Sequence, residues 1–226
     1  IASLSTSVGA KVKKGDKLAG MRVIPLVIEQ AKMDRAVTEA GDTPILQVLP
    51  FAHKSAGIVI TGNEVYYKRI PDAFGPVIEA KLSEYDVDIL GKTFMDDNAE
   101  RITNAIRQHI DGGADLILCT GGMSVDPDDT TPTAIKNTGA KLVTYGAPVL
   151  PGAMFLLAYY EDGEKTIPIL GLPGCVMYAK RTIFDLVLPR IMAGERLTIE
   201  DLTRLGEGGL CLNCPVCTYP NCGFGK

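Results

Sequence analysis

Short apolar runs alternate along the chain with longer stretches of helical period. "AGIVI" (56–60), "VDILGKTF" (87–94) and "ADLILC" (114–119) have the length and bounding polar residues of strands. "ADLILC" is apolar almost throughout, the pattern of a parallel strand covered on both faces. Between them, "AFGPVIEAKLSEY" (73–85) and "DNAERITNAIRQHI" (97–110) predict helices, the second with Ile102, Ile106 and Ile110 on one face. After a glycine loop come a short helix, the strand "KLVTY" (141–145), a hairpin of "MFLLAYY" (154–160) and "TIPIL" (166–170) around Glu161-Asp162-Gly163-Glu164, and a last helix over 174–192. Upstream, "MRVIPLVI" (21–28) and "ILQVLPF" (45–51) predict strands flanking the helix "EQAKMDRAVTEA" (29–40). The polar break "HKSAG" (53–57) ends that piece, with His53 expected on a surface loop and His109 on a solvent-facing helix side. This rhythm predicts an α/β fold with a doubly wound, mostly parallel sheet over 55–196. A small N-terminal α/β segment (1–54), part of a truncated domain, precedes it, and a linker with a tail (197–226) follows.

Composition narrows the class. A chain of 226 residues with 46% hydrophobic content can build a full core, and its net charge of −4 argues against a nucleic-acid surface. Lys11, Lys13, Lys14 and Lys17 surround Gly15-Asp16 as a solvated turn. The uncharged run 142–160 approaches the length of a membrane span, but Gly146, Pro148, Pro151 and Gly152 interrupt it, so it reads as a buried loop entering a strand. The opening at Ile1 has no apolar signal region and suggests a piece of a longer protein. Four of the six cysteines fall in the last sixteen residues, unlike a secreted disulfide scaffold, while Cys119 and Cys175 read as reduced thiols. A soluble, cytoplasmic protein without membrane partners is expected.

Ligands in such sheets bind beyond the carboxyl ends of the strands. The turn "TGNE" places Gly62 and Glu64 there, although an ordinary turn accounts for both. In "FMDDNAERI", Asp97 and Glu100 have capping-box spacing, so Asp97 is either a cap or a site carboxylate, with Asp96 as a second candidate. The loop "LCTGGMSVDPDD" combines Thr120, Gly121, Gly122 and Ser124 with Asp126, Asp128 and Asp129. Its glycines and hydroxyls suit an anion, whereas three carboxylates exceed what capping the next helix needs. The two are compatible if Mg²⁺ sits at the rim of a phosphate cradle. Pro173 and Gly174, in "GLPGCVMY", begin the last helix and would aim its N-terminus at the same anion, or form a plain turn.

Together these motifs resemble the molybdopterin-binding domain shared by molybdopterin adenylyltransferase and molybdopterin molybdotransferase. TGG followed by D-x-T-P matches Thr120, Gly121, Gly122, Asp129, Thr131 and Pro132; "DDNAERI" resembles the family's D-x-x-x-x-I element, beginning at Asp97; "ITGNEV" resembles its G-x-E turn and "LGLPG" its GLPG turn. The likeness spans about residues 56–195, and "VKKGDKLAGMRVIPLVIE" resembles the lead-in of longer members. It implies a three-layer αβα fold, a pterin monophosphate ligand, homo-oligomers, and Mg²⁺-dependent metal insertion or adenylyl transfer with nucleotide or molybdate as co-substrate. Asp129, Asp97 and Glu64 would act on molybdopterin held by Gly62, Thr120, Gly121, Gly122, Ser124, Pro173 and Gly174. Two departures matter: Cys175-Val176 replaces Asn-Pro after GLPG, and Ala153 stands where a P-G-K loop carries lysine. "PGAMF" (151–155) resembles instead the competence-damage proteins, which act on pyridine nucleotides. A pyridine-nucleotide hydrolase, or a non-catalytic molybdopterin carrier or sensor, are the alternatives.

Finally, Cys211, Cys214, Cys217 and Cys222 form C-x₂-C-x₂-C-x₄-C. Such thiols can wrap one soft metal centre, an iron–sulfur cluster or zinc, or belong to a loose tail hinged at Gly206, Gly208 and Gly209.

Overall fold

The computed structural model describes residues 2–5, 11–44, 46–126, 128–163 and 165–226. They form two compact units, 1–50 and 51–226.

In the first unit, β1 (Ala2–Ser5) pairs antiparallel with β2 (Ala19–Arg22), and α1 (Gln30–Ala40) follows. The lysine-rich stretch is a turn, closed by the Lys13 N–H to the Asp16 carboxylate at 2.9 Å. The strand expected over 21–28 is confined to Ala19–Arg22: Pro25, with no N–H to donate, stands in the middle of the rest. Residues 46–51 form no strand, and Ile45 lies outside the described residues. Helix α1 buries none of its residues, and Met21, Leu26, Val27 and Val37 are exposed.

The second unit is a three-layer α/β sandwich. Its elements are β3 (Ser55–Thr61), α2 (Asn63–Tyr66), α3 (Phe74–Ser83), β4 (Asp88–Met95), α4 (Ala99–Asp111), β5 (Leu116–Thr120), α5 (Thr131–Asn137), β6 (Lys141–Tyr145), β7 (Leu156–Asp162), β8 (Lys165–Leu172), α6 (Ile183–Met192) and α7 (Ile199–Arg204). The sheet order is β4-β3-β5-β8-β7-β6. The pairs β3–β4, β3–β5 and β5–β8 are parallel, while the β7–β8 hairpin and β6–β7 are antiparallel. The run 142–160 is β6, a loop and the start of β7. Among the described residues no helix is long and apolar enough to cross a membrane.

Strand alternation splits the core into two halves. Ile58, Ile60, Leu116, Leu118, Leu170 and Leu172 face one layer with Ile78 and Leu82 of α3 and Phe184, Val187 and Leu188 of α6. Val59, Ile117, Cys119 and Ile169 face the other, with Ile102 and Ile106 of α4 and Ala134 and Ile135 of α5. Each such Ile, Leu or Phe contributes roughly 1.5–3 kcal/mol by leaving water. Layers of helix on both faces explain why "ADLILC" carries no alternation of apolar and polar residues.

Four local expectations are corrected. His109 does not face solvent: its ring lies over Gly57, where any Cβ would overlap it, and Nε2 sits 2.9 Å from Thr93 Oγ1. Burial holds its pKa below the ordinary histidine value. His53 is half-buried, and burial likewise lowers its pKa, partly offset by Asp115. The last helix does not run from 174: a single 3₁₀ turn (Gly174–Met177) is followed by a break, and α6 starts at Ile183. Nor do the tail glycines act as hinges. A Cβ on Gly208 would overlap the Lys226 backbone, and one on Gly206 would press on Pro148, so both permit close approach.

Candidate functional site

The parallel strands deliver four loops to one sheet edge, and three of them interlock. Gly62 N–H donates to Met95 O at 3.1 Å, joining the ends of β3 and β4. Asn63 N–H donates to Asp97 Oδ2 at 3.2 Å across the same gap. Asp97 is therefore not the cap of α4. That role belongs to Asn98, whose side chain accepts the Arg101 N–H at 3.0 Å, because the helix begins one residue later than the capping-box spacing implied. Asp97 is released to an exposed position beside the β3 loop.

The loop after β5 turns on Gly121 (φ 82°) and Gly122 (φ 51°), both in the left-handed region. A Cβ on Gly121 would overlap the Thr61 carbonyl oxygen, so glycine is what lets the β3 and β5 ends meet. Thr61 Oγ1 and Thr131 Oγ1, 3.0 Å apart and buried, tie the start of α5 to the same point. Asp129 does not cap α5: Thr130 is the N-cap, without a side-chain bond, and Asp129 Oδ2 instead accepts the Ser124 N–H. Asp126 accepts the Asp128 N–H at 3.1 Å through Oδ1 and the Asp129 N–H at 3.1 Å through its carbonyl, folding the loop on itself; Pro127 lies outside the described residues.

Among the described residues, the buried side-chain oxygens without a hydrogen-bond partner are Asp96 Oδ1, Thr120 Oγ1 and Thr130 Oγ1. All three belong to the loops at this edge. Each costs about 1–3 kcal/mol of unrecovered desolvation, which a fold tolerates where the groups have another task.

Three residues that sequence reasoning missed join the site. Arg101, in the first turn of α4, bonds Asp96 Oδ2 at 2.6 Å and the Tyr66 hydroxyl at 2.7 Å, and lies over the Tyr66 ring. Tyr145 ends β6 and donates its hydroxyl to Ser124 O at 2.8 Å; burial and the nearby Asp129 raise its pKa. The signal for Tyr145 was strand direction, since two antiparallel steps return β6 to the sense of β8.

Glu64 is exposed in α2, and its carbonyl accepts the Arg69 N–H at 2.8 Å; among the described residues no bond draws its carboxylate into the cluster. The loop after β8 contributes less than expected. Pro173 is buried, the four-residue turn from Gly174 is too short to focus an anion, and the α6 N-terminus is spent on its own capping box of Thr182 and Asp185. Behind it, the buried Asp185 carboxylate binds Lys81 at 2.5 Å and Arg181 at 2.8 Å, a structural triad.

A family model described as "Probable molybdopterin binding domain" matches residues 57–193, more than half of the chain. The chain belongs to the molybdopterin-binding domain family. A CinA-like protein of Mycobacterium avium is 41% identical over 76 residues, 34% of this chain and 18% of that protein. A CinA-like protein of Mycobacterium tuberculosis is 37% identical over 89 residues, 39% of this chain and 21% of that one. The matched stretch thus spans about a fifth of these curated relatives. The tungsten cofactor synthesizing protein MoaB of Pyrococcus furiosus superposes with a TM-score of 0.52 at 17% identity, over 67% of this chain and all of that one. This likeness shows the shared mixed six-stranded α/β fold. The glycine loop and Asp97 lie inside the family match, whereas the cysteine tail lies outside it.

Proposed function

We propose that the domain binds molybdopterin, a pterin carrying a phosphate, at the ends of β3, β4 and β5, and acts in molybdenum cofactor biosynthesis by metal insertion or adenylyl transfer. The observation that carries this reading is that buried, unpartnered Thr120, Thr130 and Asp96 oxygens lie at the same strand ends as the glycine turn in the family's own domain. Gly121 and Gly122 bring the backbone close to the ligand phosphate, while Thr120 and Ser124 supply hydroxyls. Gly62 sets the β3 turn, and Arg101, stacked on Tyr66, adds a positive charge at the rim.

Asp97 and Asp129 each spend one oxygen on a backbone N–H. Among the described residues no three His, Cys, Asp or Glu side chains converge on one point. Both facts fit Mg²⁺, which takes one or two carboxylates and completes its shell with water and phosphate oxygens. Asp97 and Asp129 would hold it, and it would supply charge neutralisation at the phosphate. The backbone bonds to Asn63 and Ser124 fix both carboxylates in place, and Glu64, exposed beside Asn63, is the group left to contact the pterin or move a proton.

A second reading, hydrolysis of a pyridine nucleotide, is favoured by the CinA-like relatives and by "PGAMF", where Ala153 presents no cation. One assay separates the readings. Protein supplied with adenylylated molybdopterin and molybdate releases nucleotide and yields metal-loaded product if the first reading holds. Binding without release identifies a carrier or sensor, and turnover of a pyridine nucleotide alone supports the second.

A further inference from the structure

Residues 209–226 contain no helix or strand among the described elements, yet they follow a fixed course. Gly209 and Phe224 form a parallel bridge, and Phe224 is only 2% exposed. Cys211 N–H donates to Leu150 O at 2.9 Å, and the Tyr219 hydroxyl donates to Asp185 O at 2.8 Å, fastening the segment to the sheet loop and to α6. Asn213, at φ 49°, turns the chain sharply between Cys211 and Cys214. So held, the segment lines a half-open cavity of about 340 Å³ whose wall includes all four tail cysteines together with Lys180 and Arg181. The four are free thiols: Cys211 and Cys222 half-buried against the core, Cys214 and Cys217 exposed.

Four thiols around one cavity, in a segment with so little regular structure, call for a common ligand. A single tetrahedral ion with thiolates at about 2.3 Å would draw the sulfurs within about 4 Å of one another. Among the described residues no three His, Cys, Asp or Glu side chains are already drawn together as the ligands of one metal ion. All four cysteines line one cavity, and a polynuclear cluster presents an iron to each thiolate at a separate corner. C-x₂-C-x₂-C supplies three such ligands from one compact turn, and Cys222 returns as the fourth.

The surroundings also offset the charge of four thiolates. Arg181 and Lys180 line the same cavity as the four cysteines. Lys180 Nζ donates to the carbonyls of Cys214 and Pro215 at 2.9 and 3.0 Å. Nearby positive charge is one of the means by which proteins stabilise such clusters.

We propose that residues 209–226 form an iron–sulfur module in which Cys211, Cys214, Cys217 and Cys222 ligate one [4Fe–4S] cluster. This assignment is independent of what binds at the strand ends, from which it uses no residue.

The test is metal and sulfide analysis of the full chain, purified anaerobically and reconstituted with ferrous iron, sulfide and a thiol reductant. About four iron and four sulfide per chain, with broad visible absorption bleached by dithionite, is the expected result. The double variant Cys214→Ser, Cys217→Ser alters only exposed thiols, so it should keep its far-ultraviolet circular dichroism while bound iron falls at least about fivefold. Cys175→Ser, outside the cavity, should retain the cluster. One zinc per chain, a metal-free protein with four titratable tail thiols after reconstitution, or full iron retention by the double variant would each overturn the assignment.

Discussion

The loops after β5 and β8 look alike in sequence: each carries glycine at a strand end, and each precedes a helical segment. In the structure they have opposite fates. The β5 loop takes two left-handed glycines, leaves Thr120 and Thr130 oxygens unpartnered, and ties its carboxylate to the backbone rather than to a helix. The β8 loop makes one short 3₁₀ turn, and the following helix satisfies its own N-terminus through Thr182 and Asp185 before burying Asp185 against two cations. One loop leaves polar groups without a partner and the other spends them on stability. Glycine at a strand end is thus no evidence for a ligand until the accounting of polar groups is done.

The sharpest way to break this contrast is a pair of alanines. Gly121→Ala should cost about 4 kcal/mol or more, because its Cβ would overlap the Thr61 backbone at a left-handed φ. Gly174→Ala should stay within about 0.5 kcal/mol, since no atom lies within 4 Å of the added Cβ. Urea unfolding of both variants checks the pair, and equal losses would mean that the two turns do not differ as described. Next in size, Asp185→Ala strands Lys81 and Arg181 and should cost about 3–5 kcal/mol, read by the same unfolding midpoints, with no effect on ligand affinity below the transition.

Thr120→Val exchanges an unpartnered buried hydroxyl for a methyl. Stability should rise by about 1 kcal/mol while ligand affinity falls; a loss of stability would show that the hydroxyl is bonded after all. Thr182→Ala, by contrast, should cost about 1 kcal/mol and leave binding alone.

The smallest effect is a pH dependence of the scaffold. Both His109 and His53 have folded pKa values below 6.5, so the unfolded chain takes up protons first as pH falls. Their contribution is complete above about pH 6.5 and is lost as pH drops through and below that value, at no more than about 1.4 kcal/mol per pH unit for each group. Denaturant midpoints at pH 7, 6 and 5 should decline, and less steeply in His109→Gln. A midpoint constant over that range would refute the burial argument.

Much of the second unit was legible because its physics is local. Apolar runs of strand length, and Ile102, Ile106 and Ile110 at helical spacing, determine layers without knowledge of the partner. What stayed hidden depends on contacts distant in sequence. Only the β3–β4 juxtaposition shows Asp97 reaching Asn63, and only the return of β6 brings Tyr145 to Ser124. Capping misled for a related reason: Asn98 and Asp97 are adjacent, and the true start of α4 decides between them. In the first unit the apolar run over 21–28 promised a strand, but Pro25 breaks it, and Met21, Ile24, Leu26 and Val27 are exposed.

The central claim is that the β3, β4 and β5 loops bind a phosphate-bearing pterin through Asp97 and Asp129. Calorimetric titration of molybdopterin into the full chain, with and without Mg²⁺, tests it most directly. Saturable binding strengthened by Mg²⁺, and weakened at least about tenfold (about 1.4 kcal/mol) in Asp129→Asn at an unchanged melting temperature, is the predicted result. Equal affinity in the wild type and the variant, or no binding by either, would contradict it.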